Sequence, residues 1–228
     1  METRYGFPVV RAHNVFKLLK DFGIRPWPKL ETLSLEEYKK RDLSPDQLKE
    51  IERFCPKIEV GIFESPVRRL FANFRPIWYS NTGTHVFTLL PDNLLPIAAS
   101  FRHGAEVISL ILPGGMVEDG DISLSQRAKD EFETETGIQL AEVTPLTNEQ
   151  DLGTPLSSQQ MPMRACGFWG VPTDPLIINP PKLDDGEFLR TILIPLQDWL
   201  NLIERGQVYE ASPIISTFLA IRKMNYRQ

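Results

Sequence analysis

The sequence predicts an α/β (α+β) fold: a mixed sheet flanked by helices, preceded by a short helical segment. Three observations predict it. Residues 1–56 hold helical apolar spacing and helix-start signals. After Pro56 the chain breaks into short runs rich in β-branched and aromatic residues, several of them separated by turns. One acidic helix then interrupts the strands, and two apolar helices close the chain.

The elements follow in order. In "VRAHNVFKLLKDFG" (10–23), Val15, Leu18, Leu19 and Phe22 fall at helical spacing, and Gly23 is a stop. "SLEE" (34–37) and "SPDQ" (44–47) have capping-box form, the second with Pro45 at the first helical position. Two or three short helices are expected here, joined by the proline-rich turn "RPWPKL" (25–30). Strands are expected at 58–63, 75–80, 85–90, 95–101 and 107–112. A helix runs from about Ser123 to Thr136, and Gly137 ends it. Strands near 138–145, 163–171 and 188–195 precede helices at 196–206 and 212–224. The expected organisation is an N-terminal helical extension over 1–56 and a mixed-sheet domain over 57–228.

Composition narrows the function. The chain has 228 residues, 42% hydrophobic and 24% charged, with a net charge of -5. No cluster of five basic residues occurs, so a nucleic-acid partner is not expected. No apolar run nears the roughly 18 residues of a membrane helix, and the N-terminus lacks a signal-peptide core. A cytoplasmic location is the expectation. Cys55 and Cys166 lie far apart and outside any Cys-x-x-Cys pair, so both are read as reduced rather than zinc-binding.

The stretch "GGMVEDGDISLSQRAKDEFETETG" (114–137) concentrates the chemistry. Glu131 and Glu135 are four apart and share one helical face. Two carboxylates there repel unless they are solvated or hold a divalent cation between them. Mg²⁺ takes one or two carboxylates, completed by water and phosphate oxygens. The paired glycines let backbone approach such an ion closely. Glu118, Asp119 and Asp121 add acid in the intervening loop. A plain acidic helix face is the bland alternative, but acid at a helix C-terminus opposes the helix dipole.

This stretch resembles the Nudix box: Gly, five residues, Glu, seven residues, Arg-Glu-apolar-x-Glu-Glu-x-Gly-apolar. Here Gly115 is followed by five residues, Asp121, eight residues and "DEFETETGI" (130–138). Anchored on Gly137, Glu131 matches the first helix Glu, and Thr134 and Glu135 match the Glu-Glu pair. Four departures are present: Asp121 for Glu, one extra loop residue, Asp130 for Arg and Thr134 for Glu. The likeness extends over about residues 76–224. "ASFRHG" (99–104) and the run from Asp184 to Ile221 are similar to the ADP-ribose and nucleoside-diphosphate-sugar branch.

The resemblance implies a Nudix-type α/β/α sandwich and a pyrophosphohydrolase using Mg²⁺ or Mn²⁺. It implies Glu131 and Glu135 as catalytic metal ligands, with the backbone carbonyl of Gly114. Arg102 would clamp a phosphate; a surface arginine is the other reading. The substrate would be ADP-ribose or a nucleotide sugar, a nucleotide-derived small molecule, and the branch often forms homodimers. In "LGTPLSSQQMPMRACGFWG" (152–170), Gln160 falls where that branch has its catalytic Glu, and is left as a substrate-binding candidate. Glutamine cannot accept a proton as a carboxylate does. Glu149 and Asp151 are neighbouring substitutes. His103 reads as structural, Asp184, Asp185 and Glu187 as a solvated turn, and Trp78 and Tyr79 are unassigned. Thr134, Asp130 and Gln160 also support the alternative of a Nudix-fold module that binds a nucleotide with little or no cleavage.

Overall fold

The N-terminal elements are shaped by local signals. Strands β1 (Thr3–Arg4) and β2 (Phe7–Pro8) form a ribbon, turned by Tyr5 and Gly6, which both have positive φ. Three helices follow: α1 (Val15–Asp21), α2 (Leu35–Lys39) and α3 (Pro45–Phe54). Both expected capping boxes form, Ser34 with Glu37 and Ser44 with Gln47. The computed structural model describes residues 2–55, 57–64, 70–77, 82–102, 105–117, 123–147, 154–157, 161–183 and 188–225.

After Pro56 the strands appear. β3 (Lys57–Glu64) and β4 (Leu70–Ile77) pair as an antiparallel hairpin. The strand expected at 75–80 thus begins earlier, and residues 78–80 lie outside the described residues. Next come β5 (Thr82–Thr88), β6 (Leu94–Arg102), β7 (Val107–Ile111) and helix α4 (Leu124–Thr136). Strands β8 (Leu140–Pro145), β9 (Thr154–Ser157), β10 (Met161–Pro172) and β11 (Leu189–Pro195) follow, then helices α5 (Leu196–Glu204) and α6 (Ala211–Asn225). β9 was not among the expected strands.

One sheet runs β5-β10-β8, with β9 also on β10. It is mixed: β10 is parallel to β5 and antiparallel to β8. The second sheet, β11-β6-β7, is antiparallel. Residues 113–117 leave β7 and pair with β5, so one chain segment joins the two sheets. The Val86 amide donates to the Pro113 carbonyl at 2.9 Å, and the Thr84 amide to the Gly115 carbonyl at 2.8 Å.

The largest core cluster includes Phe87, Leu110, Ile192 and the fully buried Trp199. Trp199 Nε1 donates to Thr217 Oγ1 at 2.8 Å, tying α5 to α6. Removing such a buried aromatic costs about 3–5 kcal/mol. Residues 7–24 also pack into this body. The Val10 amide donates to the Leu193 carbonyl at 2.8 Å, and Val15, Leu19 and Ile24 join the same cluster. The segment expected as an extension therefore contributes residues 7–24 to the core, whereas α2 has no buried residue. Among the described residues, no helix is long and apolar enough to cross a membrane.

Candidate active site

Helix α4 positions the acidic pair. Ser123 caps its start, accepting from the Gln126 amide at 3.1 Å. Ala128 and Phe132 turn into the core against Val86, Leu140 and Phe168. Gly137 ends the helix in the left-handed conformation, φ 72°. A strap over 173–182 covers this end. The Lys182 amide donates to the Thr134 carbonyl at 2.8 Å, and the Asn179 amide to the Gly137 carbonyl at 2.7 Å. A Cβ on Gly137 would lie 1.8 Å from the Asn179 carbonyl oxygen, so the approach of the strap requires glycine.

With this orientation fixed, α4 presents Glu131 and Glu135 to the glycine turn. Glu135 is only 4% exposed. Its Oε2 accepts from the Gly114 amide at 2.9 Å, and its backbone carbonyl accepts from Thr191 Oγ1 at 3.0 Å. Glu131 lies against Gly115, where a Cβ would meet the carboxylate carbon at 2.5 Å. Gly114 is equally confined, since a Cβ would lie 2.1 Å from the Thr84 carbonyl oxygen. Gly114 is therefore required by the close approach of backbone, whereas Gly115 leaves the place that the Glu131 carboxylate occupies.

Arg127, which sequence reasoning missed, pairs with Glu131 one turn along the helix. Its Nε also donates to the Met116 carbonyl at 2.9 Å. The available signal was a basic residue four before Glu131 on the same face. Asp130, in the family's arginine position, instead accepts from Gln126 Nε2 at 2.7 Å and is exposed.

Gly114, Gly115 and Glu135 form one wall of a cavity of about 560 Å³. His85, Arg102, Arg164, Glu210 and Ser212 contribute polar groups, and Trp27, Phe101 and Phe188 contribute aromatic ones. Arg102 lines the cavity, and its Nε is 3.2 Å from Glu210 Oε1. Ser109 Oγ donates to the same oxygen at 3.1 Å. Neither Glu210 nor Trp27 was singled out from sequence.

His85 is buried behind the glycine turn. Its Nε2 is 2.6 Å from Ser216 Oγ, and the imidazole also bonds to the Ser212 backbone. Burial pushes its pKa down to about 4, outweighing that backbone bond, so the ring is neutral near pH 7. Gly167 leaves room for this pair; a Cβ there would lie 2.2 Å from Ser216 Oγ.

The donors suit a hard cation. Two carboxylates and a glycine carbonyl supply oxygen only, the chemistry Mg²⁺ and Mn²⁺ accept. Among the described residues, no three His, Cys, Asp or Glu side chains converge on one point. Such an ion would therefore rest on few protein ligands and complete its shell from water and substrate, as Mg²⁺ permits. The remaining candidates lie outside the described residues: Gln160, Glu149, Asp151, Glu118, Asp119, Asp121, His103, Asp184, Asp185, Glu187, Trp78 and Tyr79.

The architecture is similar to a solved structure described as an ADP compounds hydrolase. The TM-score is 0.61 at 18% identity, over 76% of this chain and 88% of that chain. At this identity the likeness is one of fold, and it bears out the expected mixed sheet flanked by helices. No family model and no curated protein matches the chain.

Proposed function

We propose that the protein hydrolyses the diphosphate bond of ADP-ribose or a nucleoside diphosphate sugar in a Mg²⁺- or Mn²⁺-dependent reaction. The observation that carries this reading is the glycine turn held against two α4 carboxylates, with Gly114, Gly115 and Glu135 lining a ligand-sized cavity. Glu135 bonds to the Gly114 amide and Glu131 lies against Gly115. The cavity volume of about 560 Å³ falls within the range of small-molecule sites. The solved fold neighbour is described as acting on ADP compounds, which agrees in substrate class.

Glu131, Glu135 and the Gly114 carbonyl would hold the metal. The ion would supply charge neutralisation at the phosphates and an activated water. Arg127 orients Glu131 through its ion pair and fixes the turn through the Met116 carbonyl. The Gly114 amide keeps the Glu135 carboxylate aimed at the turn. Arg102 offers a planar donor to a substrate phosphate in exchange for Glu210. Addition of one water across the P–O–P bridge gives a nucleoside monophosphate and a sugar phosphate. A homodimer in the cytoplasm belongs to the same reading, and light scattering tests the assembly.

A second reading is a module that binds nucleotides without efficient cleavage. The pairing of Glu131 with Arg127 favours it, because that carboxylate is already engaged. Thr134, where the family has Glu, points the same way. A hydrolysis screen separates the two. It covers ADP-ribose, nucleotide sugars, dinucleotides and nucleoside triphosphates, each with Mg²⁺, Mn²⁺ and chelator. Metal-dependent turnover lost in both Glu131→Gln and Glu135→Gln supports the enzyme. Metal-dependent binding with no turnover of any compound supports the module and rejects the hydrolase.

A further inference from the structure

The segment around Trp27 has a fixed place beside the cavity. At one end Ile24 is buried in the core, 2% exposed. At the other, Lys29 forms an ion pair with Glu106. Pro26 and Pro28 flank Trp27, which restricts Arg25 and Trp27 to extended backbone. The indole centroid lies 6.1 Å from the Phe101 ring and 6.4 Å from the Phe188 ring. The rings are tilted by 32° and 56°, so neither pair is a closed face-to-face stack. Trp27 is 43% and Phe188 50% exposed, although both line the cavity that holds Glu135.

An aromatic corner, two arginines and a glycine turn in one cavity match a ligand with two parts. One part is planar and aromatic; the other is an anionic diphosphate. Arg102 and Arg164 supply positive charge to the same cavity. We infer that Trp27, with Phe101 and Phe188, is the stacking platform for the base of the nucleotide ligand. The N-terminal segment thus takes part in substrate selection, and the Lys29–Glu106 pair latches it beside the site. Stacking accepts any base because every base has a π face. Trp27 therefore distinguishes nucleotides from base-free diphosphates rather than one base from another. This inference rests on the nucleotide reading above.

The test is calorimetric titration of the full chain with two probes, ADP and inorganic pyrophosphate. The variants are Trp27→Leu, which keeps apolar bulk, Trp27→Phe, which keeps a ring, and Lys29→Gln, which opens the latch. Trp27→Leu is expected to weaken ADP binding roughly tenfold, the scale of one base–aromatic stack, and pyrophosphate binding less than about twofold. Trp27→Phe restores most of the loss, and Lys29→Gln falls between. Unchanged ADP affinity in Trp27→Leu overturns the platform. Equal losses for both probes assign Trp27 a structural role and also overturn it. If the unmodified folded protein binds pyrophosphate but not ADP, the nucleotide reading itself fails.

Discussion

The Gly114 amide donates to Glu135 Oε2 at 2.9 Å, joining a turn and a helix that are 21 residues apart. This bond fixes the direction of the more buried of the two α4 carboxylates. It also makes the glycine turn and the helix one working unit. Glu135→Gln and Glu131→Gln are each expected to lower kcat by roughly 100-fold or more, the scale of losing one preorganised electrostatic contact. Steady-state hydrolysis of ADP-ribose measures it. An active Glu135→Gln protein would remove Glu135 from the chemistry.

The two glycines of the turn are expected to fail differently. At Gly114 a Cβ meets backbone, the Thr84 carbonyl oxygen at 2.1 Å. Gly114→Ala should therefore cost stability, about 1–3 kcal/mol for an overpacked site. At Gly115 the Cβ meets the carboxylate end of Glu131, a side chain able to swing away. Gly115→Ala should thus keep its melting temperature within about 2–3 °C and lose most activity. Thermal melts paired with turnover assays check both.

The neutral, buried His85 sets an acid limit to stability. Its folded pKa, about 4, lies below the ordinary value of 6.5. Between those values the unfolded chain binds the extra proton, so stability falls as pH drops through 6.5 toward 4. The loss between pH 7 and pH 5 comes to about 2 kcal/mol from this group. For a chain of this size that corresponds to a melting temperature lower by about 4–8 °C. His85→Gln should flatten this part of the profile, measured by calorimetry across the same pH range.

Arg102 and Glu210 are both substantially exposed, 46% and 38% by side chain. An exposed pair adds little stability. Arg102→Ala should therefore melt within about 2 °C of the parent. Its KM for a diphosphate substrate should rise about tenfold, from the loss of a charge-assisted contact. Glu210→Gln should lower KM by releasing the guanidinium. A higher KM in Glu210→Gln would show that the carboxylate contacts substrate directly.

The parts legible in the sequence are those set by neighbours along the chain. Helix α4 is one, with its Ser123 cap, buried Phe132 and Gly137 end. The two capping boxes before residue 50 are others. Gly114 and Gly115 were legible through their pattern with Glu131 and Glu135. Arg102 was singled out as a phosphate clamp or a surface arginine and it lines the cavity, but its partner Glu210 is 108 residues away and no local signal names it. Trp27 was read as part of a turn because its meaning depends on Phe101 and Phe188, brought near only by folding. The role of residues 7–24 was hidden for the same reason. Their apolar spacing announces a helix but not the strand Leu189–Pro195 that they meet.

The stretch from Val107 to Val117 bonds first to one sheet and then to the other, with the glycine turn at the crossing. Separating the sheets means tearing the turn. The amides of Thr84 and Val86, which hold that crossing, should therefore exchange with deuterium only when the whole molecule opens. Opening of the glycine turn is then expected to accompany parting of the two sheets. Loss of the turn and loss of the sheet pairing should register as one event, with one exchange rate for the Thr84 and Val86 amides.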